Sequence, residues 1–204
     1  MIETSIFNRF TYQITKEFWH SFDMISEGYS PDSLNYLTVQ RDKIIFQLCY
    51  SYGLRIEEVL NLTLFDLNFS NKSLESYGSI YVQKVRSRLI YPLFYEATED
   101  ICKYLDIISL NAKPCNNKIF STTKGNTLSH HYMDNRLRLY NSKLPLTRRI
   151  ESINHFRQYY IADILRIKGL SQCFINNQIG NNISNDQVYL HLQPNKTYIG
   201  GNYV

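Results

Sequence analysis

No run of apolar residues approaches the roughly 20 that a membrane-spanning helix needs; Ile44 to Phe46 and Tyr159 to Ala162 are among the longest. Insertion into a membrane is therefore not expected. The opening Met1-Ile2-Glu3-Thr4-Ser5 lacks a basic region followed by an apolar stretch, so no secretory signal is read and the cytoplasm is the expected compartment. Cysteine is sparse and scattered. Cys49, Cys102, Cys115 and Cys173 form no Cys-x-x-Cys and no Cys/His pair, which argues against a zinc site and a disulfide framework. Carboxylates and histidines nowhere fall at ligand spacing, so a metal-dependent nuclease is disfavoured and no cofactor is expected. Repeats, low-complexity tracts and long linkers are also lacking. With 204 residues, the chain has room for one ordinary domain or a domain plus a short arm.

What is present is a 44% hydrophobic composition, normal for a packed globule, and a net charge of +4 with a pI near 8.8. That balance permits binding to a polyanion without establishing it. Seventeen tyrosines dilute the meaning of any one of them. Only position in the chain discriminates between them.

Helical spacing of apolar residues predicts helices over Thr15 to Ser26, with Thr15 as N-cap, and over Thr38 to Tyr52, closed by Gly53. A short helix, Ile56 to Leu62, follows directly. Between Tyr77 and Leu93 the composition turns β-branched and aromatic, predicting strands at Ser79–Val82 and Leu89–Tyr91 around a turn from Lys84 to Ser87. Helices are expected again for Glu96 to Leu110, Ser129 to Tyr140, His155 to Ile167 and Gln172 to Ile179, with a polar loop from Asn111 to Lys118. The fold class is mainly α with a small antiparallel hairpin or sheet, an α+β arrangement.

Several ordered motifs overlie this pattern. Gly53-Leu54-Arg55 launches a helix carrying Glu58 three residues after the arginine. Lys84 sits in the hairpin turn, and Pro92-Leu93 closes the second strand. Phe120-Ser121, then Gly125 and Leu128-Ser129, lead into the next helix. Asn154-His155-Phe156-Arg157 opens another, Gln178-Ile179-Gly180-Asn181 closes the last, and Val188-Tyr189-Leu190-His191 follows. In that order these segments resemble the catalytic domain of the tyrosine recombinases, the phage integrase family. The resemblance spans roughly Thr11 to His191, leaving residues 1–10 as an arm and 192–204 as a tail. Only 52 residues precede the first motif, so the helical clamping domain usual in the family is not expected. The chain is similar in this to short members such as the fimbrial phase-variation recombinases, or to a fragment or decayed copy of a mobile element.

The resemblance implies a mechanism. Tyr189, at the family's spacing from Arg157, would be the nucleophile, whereas Tyr198 and Tyr203 lie in a tail without family register. Arg55 and Arg157 would clamp the phosphate oxygens, because a guanidinium stays charged and donates in parallel. Lys84 would protonate the departing 5′ oxygen, and Glu58 would support Arg55. Arg86 and Arg88 form an alternative basic pair near the turn; Lys124, Arg136 and Arg138 would face DNA phosphates, each also readable as a merely solvated charge. Two positions depart from the family. Asn154 and Asn181 replace imidazoles, and His155 is one residue late, pointing roughly 100° away on a helix. Neither Asn serves as a base near neutral pH. The implied partner is double-stranded DNA, with self-association into dimers or tetramers on it. Two readings stay open: an active recombinase, and a DNA-binding regulator that kept the fold but lost its imidazoles. A helical domain binding a protein partner is the third and plainest.

Overall fold

The computed structural model describes residues 16–68, 78–82, 87–93, 95–111, 117–166 and 169–180. Lys84, Arg86, Asn181 and Tyr189 lie outside the described residues, as do the rival Tyr198 and Tyr203, the expected cap Thr15, and the arm and tail.

Helix α1 occupies residues 16–26 and turns Phe18 and Phe22 fully inward, one helical turn apart. Helix α2, Leu34–Ser51, begins a turn earlier than the apolar pattern predicts. Ser33 is its cap, accepting the Tyr36 backbone N–H at 3.2 Å, whereas Thr38 lies inside the helix and donates its hydroxyl to the Leu34 carbonyl. Apolar spacing marks where a helix is buried, and the exposed first turn of α2 leaves no such mark.

Tyr52 and Gly53 stop α2. Gly53 takes φ +62°, and a Cβ on it would overlap the Tyr160 ring, so glycine is required twice over. Helix α3, Ile56–Leu60, starts at once, with the Glu58 carboxylate accepting the backbone N–H of its cap residue Arg55 at 2.8 Å. It ends before the predicted Leu62 because the chain tightens into a 3-10 turn, Leu64–Asp66. There Asp66 accepts from both the backbone N–H and the hydroxyl of Thr63, at 2.8 Å each.

The sheet has three antiparallel strands in the order β1 (Leu67–Asn68), β2 (Ser79–Val82), β3 (Arg88–Ile90). Register pairs Ile80 with Ile90 and Val82 with Arg88. Strand β2 has the expected span, whereas β3 begins and ends one residue before the expected Leu89–Tyr91. Strand β1 was not expected, since two residues carry no readable alternation. Helices α4 (Tyr95–Asn111), α5 (His130–Asn141), α6 (Asn154–Arg166) and α7 (Gln172–Ile179) complete the fold. Ser129 caps α5 and Ser171 caps α7 through their hydroxyls.

Helix α2 runs through the centre, with α3, α4 and α6 packed on it. An aromatic cluster joins the helices: Phe18 lies 5.7 Å from Phe46 and 5.1 Å from Phe156, and Phe22 stacks on Tyr140 at 3.9 Å between ring centroids. Beneath it lies a buried polar knot. Asp42 accepts from Arg41 Nη2 at 2.7 Å, from the Tyr140 hydroxyl at 2.9 Å and from Arg136 Nε. Arg41 also donates to the Ser121 carbonyl at 2.8 Å, tying the 121–127 loop to α2. No helix among the described residues is long and apolar enough to cross a membrane.

Candidate active site

Three chain segments deliver charged side chains to one place, the start of α3, the start of β3 and the start of α6, and the end of α7 meets them with a backbone carbonyl. Glu58 is at the centre. Its Oε2 accepts from the Arg55 backbone N–H and from Arg88 Nη2 at 2.9 Å, and its Oε1 lies 3.5 Å from Arg55 Nη1. Burial works against its charge. The bond from Arg88, the Arg55 backbone N–H, and the charges of Arg88 and Arg157 outweigh that penalty and hold the carboxyl below the usual glutamate range. Three guanidiniums around one carboxylate leave a positive centre.

Arg157 is buried and locked in place. Its Nη1 donates to the Gly53 carbonyl and its Nη2 to the Ile179 carbonyl, joining the turn before α3 to the end of α7. Arg55 differs: its side chain is 41% exposed. The pair therefore presents one arginine fixed in the wall and one reaching solvent from the same wall.

Helix α7 is held by an unusual residue. Gln178 is fully buried on β3; its Oε1 accepts the Tyr91 N–H at 2.9 Å and its Nε2 donates to the Leu89 carbonyl at 3.0 Å. The amide thus closes the outer edge of β3 as a further strand would. Gly180 ends α7 in the left-handed region at φ +69°, directly before Asn181.

Sequence expectations divide here. Arg55, Glu58 and Arg157 come together. Asn154 is exposed at the start of α6, and His155 is partly buried with its ring tilted against Tyr159 at 6.5 Å. Lys124 is exposed in a tight turn closed by Gly125 N–H to the Thr122 carbonyl, and Arg138 is exposed beside Asn135. Arg88 and Arg136 both pair with buried carboxylates. Strand alternation puts Arg88 on the inward face with Ile90, where its side chain is only 4% exposed against Glu58. Arg136 turns toward the core, paired with Asp42 and donating to the Tyr140 hydroxyl at 2.9 Å. Arg41, Asp42 and Gln178 were not anticipated. Their available signal was polarity at positions flanked by core residues, such as Gln178 between Ile175 and Ile179.

Among the described tyrosines, Tyr52, Tyr104, Tyr140, Tyr159 and Tyr160 are buried, and burial pushes each phenol above its ordinary range. They are poor nucleophiles. Burial likewise raises the Cys49 thiol beside Arg157, so it is inert.

Comparison with known proteins places this geometry. The phage integrase family profile matches residues 32–196. The tyrosine recombinase XerC of Thermodesulfovibrio yellowstonii is 27% identical over 165 residues, covering 76% of this chain and 51% of that protein. XerC of Pelotomaculum thermopropionicum is 30% identical over 159 residues, covering 74% and 50%. The chain spans about half the length of these curated relatives. Among solved structures, the XerA recombinase superposes with a TM-score of 0.64 at 19% identity, covering 90% of this chain and 65% of that one. The XerH recombinase in a post-cleavage complex with a palindromic difH substrate gives 0.66 at 18%, covering 90% and 48%. These structures share the helical fold and small sheet. With four-fifths of its length matched by the family profile and the motifs in order, the chain belongs to the phage integrase family, the tyrosine recombinases.

Proposed function

We propose that this chain is the catalytic unit of a site-specific DNA recombinase or integrase that cuts and rejoins double-stranded DNA through Tyr189. The convergence of Arg55 and Arg157 on one positive wall, held by Glu58 and by the end of α7, is the observation that carries the reading. Residues 11–191 form the unit, flanked by the arm 1–10 and the tail 192–204. It works in the cytoplasm, on DNA, as a dimer or tetramer.

In this reading the Tyr189 oxygen attacks phosphorus, a P–O bond to tyrosine forms, and the bond to the 5′ oxygen breaks. Lys84 gives its proton to that oxygen, leaving a 5′ hydroxyl. The tyrosine proton passes to His155 or water. Attack by a 5′ hydroxyl on the 3′-phosphotyrosine reverses the step without ATP, because the covalent bond conserves the phosphodiester. Arg55 and Arg157 stabilise the charge that builds on the non-bridging oxygens. That the XerH structures hold difH substrate before and after cleavage supports the same substrate class here.

Asn154 and Asn181 favour a second reading, a DNA-binding regulator with impaired chemistry. One experiment separates them: incubate the protein with a pool of nicked duplexes of randomised core and select SDS-resistant protein-DNA adducts. The recombinase reading expects an adduct that Tyr189→Phe abolishes. Salt-sensitive DNA binding with no adduct from any duplex supports the regulator.

A further inference from the structure

Arg88 lies where the start of α3 and the exit of α7 meet. It is the first residue of β3, immediately after the connection that contains Lys84 in sequence. It grips Glu58, which in turn holds the Arg55 backbone N–H and lies beside the Arg55 guanidinium. It also touches the exit of α7: a Cβ on Gly180 would stand 2.7 Å from Arg88 Nη1. Its Nε is buried and, among the described residues, has no hydrogen-bond partner.

A buried ion pair is a weak source of stability, because desolvation offsets much of the attraction, and a neutral replacement of similar volume is often tolerated. What a planar guanidinium supplies beyond charge is orientation, through a rigid fork that a lysine lacks. An arginine held between the helix start of Arg55 and the glycine that ends α7 fits such an orienting part.

We infer that Arg88 is a positioning residue for DNA cleavage, setting the Arg55 helix start and the Gly180 exit relative to one another through its contact with Glu58. The inference rests on the recombinase reading.

The test uses the full chain and a nicked duplex recovered from the pool described above, measuring single-turnover adduct formation, DNA affinity and thermal unfolding together. Arg88→Lys keeps a charge beside Glu58 and is expected to stay folded, bind DNA within about threefold of wild type, and form adduct about tenfold more slowly. Arg88→Met is expected to lose about 10²-fold in rate, the scale of a small misplacement of reacting groups. Should Arg88→Met fail to fold, Glu58→Gln/Arg88→Met removes both charges and takes its place. Because Arg88 acts through Glu58, that double variant is expected to be no slower than Glu58→Gln alone. Folded Arg88 variants that cleave within twofold of wild type would overturn the inference, as would rate and DNA affinity falling in step. Absence of adduct from wild type is a different result and removes the recombinase reading itself.

Discussion

Arg55 and Arg157 carry the same charge but meet solvent differently, and their expected losses differ accordingly. Arg157 is buried with two backbone carbonyls as acceptors, so Arg157→Ala is expected to loosen α7 as well as to lose the phosphate stabilisation proposed for it. Arg55→Ala, at a half-exposed position, is expected to reduce adduct formation by about 10² to 10³ with the fold intact, the loss usual for one preorganised donor. Lys84→Ala is expected to be slow on ordinary DNA and restored by a 5′-bridging phosphorothiolate, because a thiolate leaves without a proton. Arg55→Ala is expected to gain nothing from that sulfur substitution. If both variants respond alike, Lys84 is not the acid. Glu58 gives a pH signature. Its folded pKa lies below its unfolded one, so its contribution to stability is full above about pH 4.3, the ordinary glutamate value. It is lost as pH falls through the lower folded value. Acid unfolding of Glu58→Gln should lack that limb, as circular dichroism against pH would show.

At the scale of elements, the site is assembled by two glycines and one glutamine. Gly53→Ala puts a side chain into the Tyr160 ring at a positive φ, and a loss of about 3 kcal/mol or more is expected in denaturant unfolding. Gln178→Leu leaves the Tyr91 N–H and Leu89 carbonyl without their partner. It is expected to cost about 1–3 kcal/mol and to raise hydrogen exchange at Tyr91 specifically. Much of this level was legible in the sequence. Gly53 as a helix stop, the Ser79–Val82 strand, and the exact span of α7 follow from glycine placement and apolar period. What was not legible has physical causes. The start of α2 is set by a Ser33 hydroxyl bond on an exposed turn, and β1 is too short to alternate. The direction in which Arg88 and Arg136 point depends on the face each element buries, which residue type alone does not report for arginine: its long stem allows either choice.

At the scale of the molecule, the described residues pack an aromatic-lined helical core with a polar knot at Asp42, and a smaller cluster joins α6 to α7. Removing that carboxylate strands Arg41 and Arg136 together. Asp42→Ala is therefore expected to destabilise by about 3–5 kcal/mol, while Asp134→Ala, on an exposed pair with His130, should change stability little. The family was readable because its motifs occur in order along the chain, and the three-dimensional meeting of Arg55, Glu58 and Arg157 agrees with that order. The burial of Gln178 and the Asp42 knot was not, because long-range polar contacts leave no periodic trace. Tyr189, the residue on which the functional account turns, is singled out by sequence register alone. Its role is tested most directly by isolating the SDS-resistant adduct, digesting it, and mapping the nucleotide-bearing peptide by mass spectrometry. A 3′-phosphoryl group on Tyr189, absent from Tyr189→Phe, is the expected result. A phosphoryl group on any other residue, or an adduct undiminished in Tyr189→Phe, would contradict it.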